Sequence, residues 1–364
     1  MKKYVQKGGL ECSSNVMRLN LDQKLNNYEV DIEKVFVLKN GTKMYIDKDQ
    51  NGNDIKLGSG SYGTVYKGSA YKKNNFVANV AIKAITKTTV STQQLICEEL
   101  ITVFGINDID EMVKYYGYTF ETFDGRVGII YIFMEYINGQ NLGALLTRSN
   151  DRNIQISFLN KLVIVDKLLD GLDKIHSKNI CHRDIKPENI MISLNDSNET
   201  VAVKFVDFGF ACIREVCNAR IVGTPLFTSP EMSLPNIFKV DFRDVGTIQL
   251  YKSHDIWALG ISICELLFGK TYTFSRLSSY LYISENNYTK NSFDHDAFYG
   301  DINNAIKFMT SNLKMTETNV VEQDITIAMD ELEQIVYGLL DIDYKKRILL
   351  KTNSIKRIII QSYA

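Results

Sequence analysis

The segment CHRDIKPENIM, residues 181–191, concentrates charged and amide side chains within a largely apolar region. It follows a stretch of helical periodicity over about 157–177. Downstream, VKFVDFGFA at 203–211 is typical of a strand that runs into a loop, and SHDIWALGISICELLFG at 253–269 is typical of a buried helix. The pattern predicts a mainly helical region with a polar loop at its centre. Apolar residues of the first helix are Phe158, Leu162, Val165, Leu169, Leu172 and Ile175.

A glycine motif, Gly58, Gly60 and Gly63, lies upstream in LGSGSYGTVYKG. In a dinucleotide-binding fold, G-x-G-x-x-G opens a helix. Here TVYKGSAY follows, which is rich in residues that favour strands, and FVANVAIKAI at 76–85 alternates like a half-buried strand. The sequence therefore predicts a strand, a glycine loop and a second strand. Glycine lets backbone amides approach phosphate oxygens closely.

The residues before the glycines, DKDQNGND at 47–54, look like the start of a calcium-binding loop. An EF-hand loop needs an apolar residue at its eighth position and a bidentate glutamate at its twelfth. Those positions hold Asp54 and Gly58. The sequence instead favours a β-hairpin in which MYID and DIKLG flank a turn at Asn51–Gly52.

These motifs, together with VAIK ending at Lys83 and GTPLFTSPEM at 223–232, resemble in this order the eukaryotic protein kinase family over about residues 53–358. The resemblance implies an α+β fold with two lobes. We expect a β-rich N-lobe over 53–136, a hinge at 137–141 and a mainly helical C-lobe over 142–358. Residues 1–52 form an extension that includes the hairpin, and either packing on the N-lobe or disorder is open for 1–45. Insertions near 232–252 and 271–330 either carry partner specificity or are tolerated surface loops.

By this resemblance, Lys83 holds the α- and β-phosphates of ATP and requires a glutamate from a following helix. Glu98 and Glu99 both lie in that helix, STQQLICEELITVFG. Glu99 is favoured because Val103, four residues on, then faces the same way, into the core of the lobe. Glu98 remains the alternative.

The resemblance also implies the residues of phosphoryl transfer. Asp184 is the expected catalytic base, and Lys186 is expected to stabilise the transferring phosphoryl group. Asn189 and Asp207 offer the oxygen ligands that two Mg²⁺ ions prefer. Thr224 is expected to hydrogen-bond both Asp184 and Lys186.

ATP is expected to lie against the glycine loop and a flat apolar site for adenine, with Met134 as gatekeeper and backbone groups of Glu135 and Ile137 as partners. The histidines receive no chemical role: His182 is expected to pack, and His176, His254 and His295 are expected to be uninvolved. The nucleotide-contacting residues are Leu57, Gly58, Ser59, Gly60, Ser61, Tyr62, Gly63, Val65, Ala81, Lys83, Met134, Glu135, Ile137, Met191 and Asp207.

The expected activity is that of a serine/threonine protein kinase, because Lys186 and the GTPLFTSPE lip match that branch of the family. The alternative is a nucleotide-binding pseudokinase that acts as a scaffold. The lip is intact, which disfavours a kinase-like fold acting on small molecules. The family's APE and Pro are replaced by SPE and Tyr344, but Glu231 and Arg347 are still expected to pair.

Activation is expected to be independent of loop phosphorylation. In kinases with an arginine at the position of Arg183, a phosphate on the activation loop commonly pairs with it. Residues 210–222, FACIREVCNARIV, contain no serine, threonine or tyrosine. We expect Glu215 to replace the phosphate, the alternative being a partner protein that orders the loop.

Composition and charge limit which other classes of protein this chain could belong to. A net charge of −1 gives no general attraction to nucleic acid. No apolar run is long enough to span a bilayer, and the cysteines form no CxxC pair. These features indicate an intracellular protein with free thiols in a reducing compartment. The resemblance to protein kinases implies protein substrates, and a regulatory protein is a further candidate partner. The oligomeric state does not follow from the sequence.

Overall fold

The computed structural model describes residues 29–30, 35–37, 41–60, 63–86, 96, 99–100, 102–103, 106–123, 126–150, 156–213, 223–233, 235, 240, 247–269, 295–316 and 321–362. The chain forms two compact units. The first comprises Met1–Asp108 and Val113–Asn138, and the second comprises Ile109–Met112 and Gly139–Ala364. The boundary after Asn138 falls within the hinge expected at 137–141.

The first unit contains an antiparallel sheet. Alternation along its central strands directs Val80, Ile82 and Ala84 to the core, where they pack with Phe133. The strands are β1 (Glu29–Val30), β2 (Phe36–Val37), β3 (Thr42–Ile46), β4 (Lys56–Ser59), β5 (Gly63–Lys72), β6 (Asn75–Ile85), β7 (Tyr115–Phe123) and β8 (Arg126–Glu135). They follow the order β1-β2-β3-β5-β6-β8-β7, with β4 paired to β5. Ile96, Glu99, Leu100, Thr102 and Val103 are helical.

Strands β3 and β4 lie end to end against the long strand β5. The first pairs with its C-terminal half and the second with its N-terminal half. The Asp47 amide donates to the Lys67 carbonyl at 2.9 Å, which keeps the intervening turn against β5. The hairpin expected around Asn51–Gly52 is therefore reduced to one antiparallel bridge, Lys48–Asp54. The two flanking strands, β3 and β4, pair with β5 rather than with each other, so their backbone hydrogen bonds are made to β5.

The turn is stabilised by its own aspartate. The Asp49 carboxylate accepts hydrogen bonds from the backbone amides of Asn51 at 2.9 Å and Asn53 at 2.8 Å. The bond from the Asn53 amide is the largest cause that holds the pKa of Asp49 below its ordinary value. Gly52 adopts a φ of +80°, a conformation that glycine reaches without steric cost.

The sheet begins before residue 53. Phe36 of β2 is fully buried, with its ring centroid 4.9 Å from that of Tyr131 and 5.0 Å from that of Phe133. Met44 of β3 joins the same cluster. Phe36 and Met44 of the N-terminal extension therefore pack into the core of the first unit.

The second unit is mainly helical, with two small sheets. Helix α2 starts at its N-cap Ser157, whose hydroxyl accepts from the Asn160 amide at 3.2 Å. The helices are α1 (Leu142–Asn150), α2 (Phe158–Ser177), α3 (Pro230–Ser233), α4 (Thr247–Phe268), α5 (His295–Thr316), α6 (Glu322–Leu339) and α7 (Asn353–Ser362). The strands are β9 (Gln140–Asn141), β10 (Ile180–Cys181), β11 (Ile190–Leu194), β12 (Thr200–Phe205) and β13 (Cys212–Ile213). They pair as β12-β11-β9 and β10-β13.

Helix α4 is the buried centre of this unit, and much of the region expected as insertions packs with it. The helix already begins at Thr247, inside the stretch 232–252. Helix α5 and the start of α6 occupy the described parts of 271–330, and Phe298 of α5 stacks on Trp257 of α4 at 6.3 Å. Helix α5 thus buries residues such as Phe298 and Ile302 while leaving Phe308 exposed, and a role of this region in partner specificity stays a prediction. Among the described helices, none combines the length and apolar character needed to cross a bilayer.

The described cysteines differ in state. Cys181 and Cys264 are buried free thiols, and burial raises the pKa of both. Their thiolate forms are therefore rare at neutral pH. Cys212 takes part in a disulfide, which corrects the expectation of a free thiol at that position.

Candidate active site

The glycine motif forms the turn between β4 and β5. The Gly60 amide donates to the Gly63 carbonyl at 2.9 Å. A Cβ at Gly63 would lie 2.1 Å from the carbonyl oxygen of Ala84, so packing excludes a side chain there, whereas Gly58 and Gly60 have open space around them. Open glycines at the tip leave backbone amides that a phosphate can approach. Ser61 and Tyr62 lie outside the described residues.

Lys83 lies in β6 between Val65 of β5 and Ile132 of β8. Its Nζ is 3.2 Å from Oε1 and 3.4 Å from Oε2 of Glu99, so the ammonium group bridges both carboxylate oxygens. The Glu99 side chain is 3% exposed and that of Lys83 13%. Glu99, the partner favoured from the sequence, thus reaches Lys83, and Glu98 lies outside the described residues.

A hydrogen-bond network surrounds the Asp184 carboxylate in the second unit. Lys186 Nζ donates to Oδ2 at 2.8 Å and to Thr224 Oγ1 at 2.7 Å. The Thr224 hydroxyl donates to Oδ1 at 2.9 Å, and Asn189 Nδ2 donates to Oδ2 at 3.0 Å. The structure therefore brings together the expected base, lysine and amide, and Thr224 makes the two contacts expected from the sequence.

Helix α4 anchors the loop that carries Asp184. Asp255 Oδ2 accepts from the His182 amide at 2.8 Å, and Oδ1 accepts from the Arg183 amide at 2.7 Å. Arg183 has a φ of +67°, which is uncommon for a residue with a side chain. Burial by itself raises the pKa of Asp255, but the hydrogen bond from His176 and the nearby histidines outweigh it and hold the pKa below its ordinary value. A buried, ionised aspartate thus fixes this strained backbone.

His182 packs beneath the loop, as expected. Its Nε2 lies 3.1 Å from the Val206 carbonyl, which can only accept, so Nε2 carries the proton. Its Nδ1 accepts from the Asp184 amide at 3.3 Å, and its ring lies 4.4 Å from that of Phe208. Both of its ring nitrogens are therefore engaged in structure.

Asn189 and Asp207 have the donor atoms that a magnesium site requires. The Asn189 amide nitrogen donates to Asp184, so its amide oxygen is the atom that can coordinate a cation. Asp207 is exposed and has a φ of +60°. Carboxylate and amide oxygens are hard ligands that suit Mg²⁺, so these residues fit the ion.

The expected adenine residues are divided between the two units. In the first, Ala81 pairs with Met134, both of them buried, and the Glu135 amide donates to the Lys114 carbonyl at 2.8 Å. Ile137 is half-buried. In the second, Met191 lies in β11 and pairs with β9 and β12. Leu57 and Ser59 are exposed in β4.

Glu231 and Arg347 form the ion pair expected from the sequence. Nη1 lies 2.6 Å from Oε1 and Nη2 2.8 Å from Oε2, and both side chains have no exposed surface. The guanidinium also lies 4.7 Å from the centroid of Trp257. This pair joins α3 to the segment before α7.

Three further residues contact Glu99, Asp255 or Arg183, and the sequence did not predict these contacts. The Tyr115 hydroxyl donates to Glu99 Oε1 at 3.2 Å. His176 Nε2 lies 3.0 Å from Asp255 Oδ2, which is a structural contact, and the absence of a chemical role for His176 stays a prediction. The Tyr251 ring lies 4.6 Å from the Arg183 guanidinium. Sequence offers little signal for these contacts, because all three residues also suit an apolar core.

Comparison with known proteins matches the protein kinase domain to residues 53–357. The kinase STE20 of Kluyveromyces lactis is 33% identical over 223 residues, 60% of this chain and 19% of that protein. The kinase ULK3 of Xenopus laevis is 33% identical over 224 residues, 59% of this chain and 41% of that protein. Dictyostelium discoideum pakG is 34% identical over 220 residues, 58% of this chain and 16% of that protein.

All three relatives carry the name serine/threonine-protein kinase. The chain spans less than half the length of each of them. The domain match nevertheless runs from the strand before the glycine loop into α7, along most of the chain. On that ground, this chain belongs to the protein kinase family.

Proposed function

We propose that this chain is a serine/threonine protein kinase that transfers the γ-phosphoryl group of Mg-ATP to hydroxyl groups of protein substrates. The observation that carries the proposal is the network in which Lys186, Thr224 and Asn189 all bond one buried carboxylate, that of Asp184. Phosphoryl transfer relies mainly on positioning and electrostatic stabilisation, which such a network supplies. The names of the relatives support the serine/threonine class.

The network distinguishes the two oxygens of Asp184. Among the residues that the structure describes, Oδ2 accepts from both Lys186 and Asn189, whereas Oδ1 accepts only from Thr224. A carboxylate oxygen has two lone-pair directions, so Oδ1 retains one for a substrate hydroxyl. We assign Oδ1 as the atom that receives the hydroxyl proton, while Lys186 offers positive charge to the transferring phosphoryl group.

Nucleotide binding is assigned to the residues expected from the sequence. The glycine-loop amides and Lys83 would hold the phosphates, with Glu99 fixing the ammonium group. The Asn189 amide oxygen and the Asp207 carboxylate would hold Mg²⁺, which when bound neutralises charge on the phosphate oxygens. Val65, Ala81, Met134 and Met191 would contact the adenine ring, with Glu135 and Ile137 as its backbone partners.

The test is phosphorylation of a serine/threonine peptide array by purified protein with Mg-ATP, beside the variant Asp184→Asn. Wild type is expected to label peptides, and the variant to lose turnover while binding ATP with nearly unchanged affinity. The amide removes the base but leaves the adenine contacts intact. Equal turnover by the two proteins would refute the assignment of Asp184. Nucleotide binding by wild type without transfer to any peptide would favour the pseudokinase alternative.

We further propose that activity does not depend on activation-loop phosphorylation. The loop at 210–222 contains no phosphorylatable hydroxyl. Arg183 is 4% exposed as a residue, and its guanidinium lies 4.6 Å from the ring centroid of the fully buried Tyr251, an arrangement that stabilises the cation. Glu215 lies outside the described residues, so its pairing with Arg183 remains a prediction.

Phosphatase treatment tests this independence, with Glu215→Ala measured separately. Activity is expected to survive the phosphatase and to fall in the variant. Loss of activity on phosphatase treatment, restored by an upstream kinase, would overturn the proposal.

Partners and compartment follow from the same proposal. Protein substrates are implied by the activity, and a regulatory protein remains a candidate ligand of the activation loop. Buried free thiols at Cys181 and Cys264 support a reducing compartment. Alkylation and mass spectrometry of denatured protein taken from cells tests this, with free thiols at Cys181 and Cys264 as the expected result.

A further inference from the structure

The buried carboxylate of Glu99 bonds two donors from different strands of the sheet. Its Oε1 lies 3.2 Å from Lys83 Nζ in β6 and accepts the Tyr115 hydroxyl of β7 at 3.2 Å. Glu99 itself belongs to the helical residues before β7. The Tyr115 hydroxyl therefore joins the helix to the sheet at the oxygen that also meets Lys83.

Tyr115 is itself held rigidly. Asn107 receives the Tyr115 amide on Oδ1 at 2.8 Å, and Asn107 Nδ2 donates to the Tyr115 carbonyl at 3.0 Å. The Tyr115 side chain is almost fully buried, at 2% exposure. In such a site a phenol has little freedom to leave its carboxylate partner, and an unpaired hydroxyl would be costly.

We propose that Tyr115 is a positioning residue for phosphoryl transfer: its hydroxyl holds Glu99 in the orientation that keeps Lys83 on the phosphates. This inference rests on the proposed role of Lys83 in ATP binding. A lysine alone could swing between partners, because its ammonium group is a point charge on a flexible stem. Glu99 removes that freedom only if it is itself fixed, and Tyr115 supplies the second attachment.

The chain contains a matched control for this claim. Tyr131 of β8 is also 2% exposed, and its hydroxyl donates to Glu121 Oε1 at 3.2 Å, the distance found for Tyr115 and Glu99. Tyr115→Phe and Tyr131→Phe therefore each remove a tyrosine hydroxyl that bonds a glutamate in the first unit. The two glutamates differ: Glu99 is buried and bonds Lys83, whereas Glu121 is part-buried and lies in β7.

The experiment measures kcat and KM of the full chain with Mg-ATP and a peptide identified on the array. Loss of a hydrogen bond to a charged group changes an equilibrium constant by about tenfold or more. Tyr115→Phe is therefore expected to lower kcat by about tenfold, because Glu99 is in the correct orientation less often. KM for the peptide should stay within about twofold, since the lost bond does not contact the peptide. Tyr131→Phe should leave kcat within about twofold of wild type.

A double-mutant cycle tests whether Tyr115 acts through Glu99. In the background of Glu99→Ala, Tyr115→Phe should cause no further loss of the rate constant of phosphoryl transfer, measured in single-turnover experiments. A full additional loss in that background would overturn the proposal. So would equal effects of the two tyrosine variants, or a Tyr115→Phe chain that does not fold, since either result assigns the hydroxyl to stability.

Failure of the proposed function is separable from failure of this inference. If wild type transfers phosphate to no peptide, the proposed activity fails. If wild type is active and Tyr115→Phe matches it, only the positioning role fails.

Discussion

Replacing Glu231 by glutamine tests a fully buried ion pair on which the second unit depends. Arg347 donates to both Glu231 oxygens at 2.6 and 2.8 Å, and neither side chain has exposed surface. Its Nε also donates to the Asp341 carbonyl at 2.6 Å, so the guanidinium cannot turn towards water. The glutamine side chain has the size of glutamate, but its amide NH₂ group faces an N–H donor of Arg347, so one hydrogen bond is lost and two donors repel each other. Removing one partner of such a buried pair costs about 3–5 kcal/mol.

The expected fall in melting temperature follows from that cost. A unit of this size loses about 2–4 °C per kcal/mol, so Glu231→Gln should lower Tm by about 6–20 °C in thermal unfolding followed by circular dichroism. Asp343→Asn is the control, because its pair with Lys346 spans 3.8 Å with side chains 47% and 71% exposed. Exposed pairs contribute about 0–1 kcal/mol, so this variant should shift Tm by at most about 4 °C.

A Tm for Glu231→Gln that differs from wild type by no more than that of Asp343→Asn would contradict a stabilising role of this ion pair. A second check combines Glu231→Gln with Arg347→Met, which removes the uncompensated charge. The double variant should lose less stability than the sum of the single variants, by at least about 1 kcal/mol. Strict additivity would show that the two side chains are not energetically coupled.

Lys83→Met and Glu99→Gln should each lower kcat by about 100-fold in the peptide assay, because a misplaced phosphate loses its alignment; full activity of either variant would contradict the pairing. Calcium should not raise Tm, since the Asp49 carboxylate already caps its own turn; a rise that Asp49→Ala abolishes would restore the calcium loop. Burial lowers the pKa of His254 below 6.5, so the unfolded chain binds a proton first. The contribution of neutral His254 to the free energy of unfolding is therefore complete above about pH 6.5 and is lost as the pH falls through the pKa of the folded state. His254→Asn should reduce the dependence of the free energy of unfolding on pH, measured by urea unfolding.

Local motifs predicted the parts of the site whose chemistry depends on a few consecutive residues. The glycine loop needs small residues at fixed spacing, and CHRDIKPEN places Asp184, Lys186 and Asn189 on one short loop. Their mutual bonds, and those of Thr224, follow once that loop is folded. The helical periods over 157–177 and 253–269 were similarly readable, because each buries a continuous apolar face.

Pairing partners distant in sequence were less predictable. The hairpin around Asn51–Gly52 was expected because the turn signal is local, whereas the partner of both flanking strands, β5, follows them along the chain. The helix that contains Phe298 lies in a stretch whose polar sequence predicts an insertion, although Phe298 stacks on Trp257 in the structure. Phe36 offered no motif, and only the cluster around it shows that it is core.

Residue identity at short, fixed spacing was enough to predict the protein kinase family, and it is the basis on which the catalytic loop and the role of Lys83 are proposed. The folded structure was needed to show which tyrosine donates a hydrogen bond to Glu99. Tyr115 and Tyr116 are chemically identical neighbours, but Tyr115 is 2% exposed and Tyr116 is 40% exposed, at a point where the pairing of β7 with β8 is irregular. Which face of a strand meets the helix depends on how the sheet packs, and that packing is set by residues far apart in the chain.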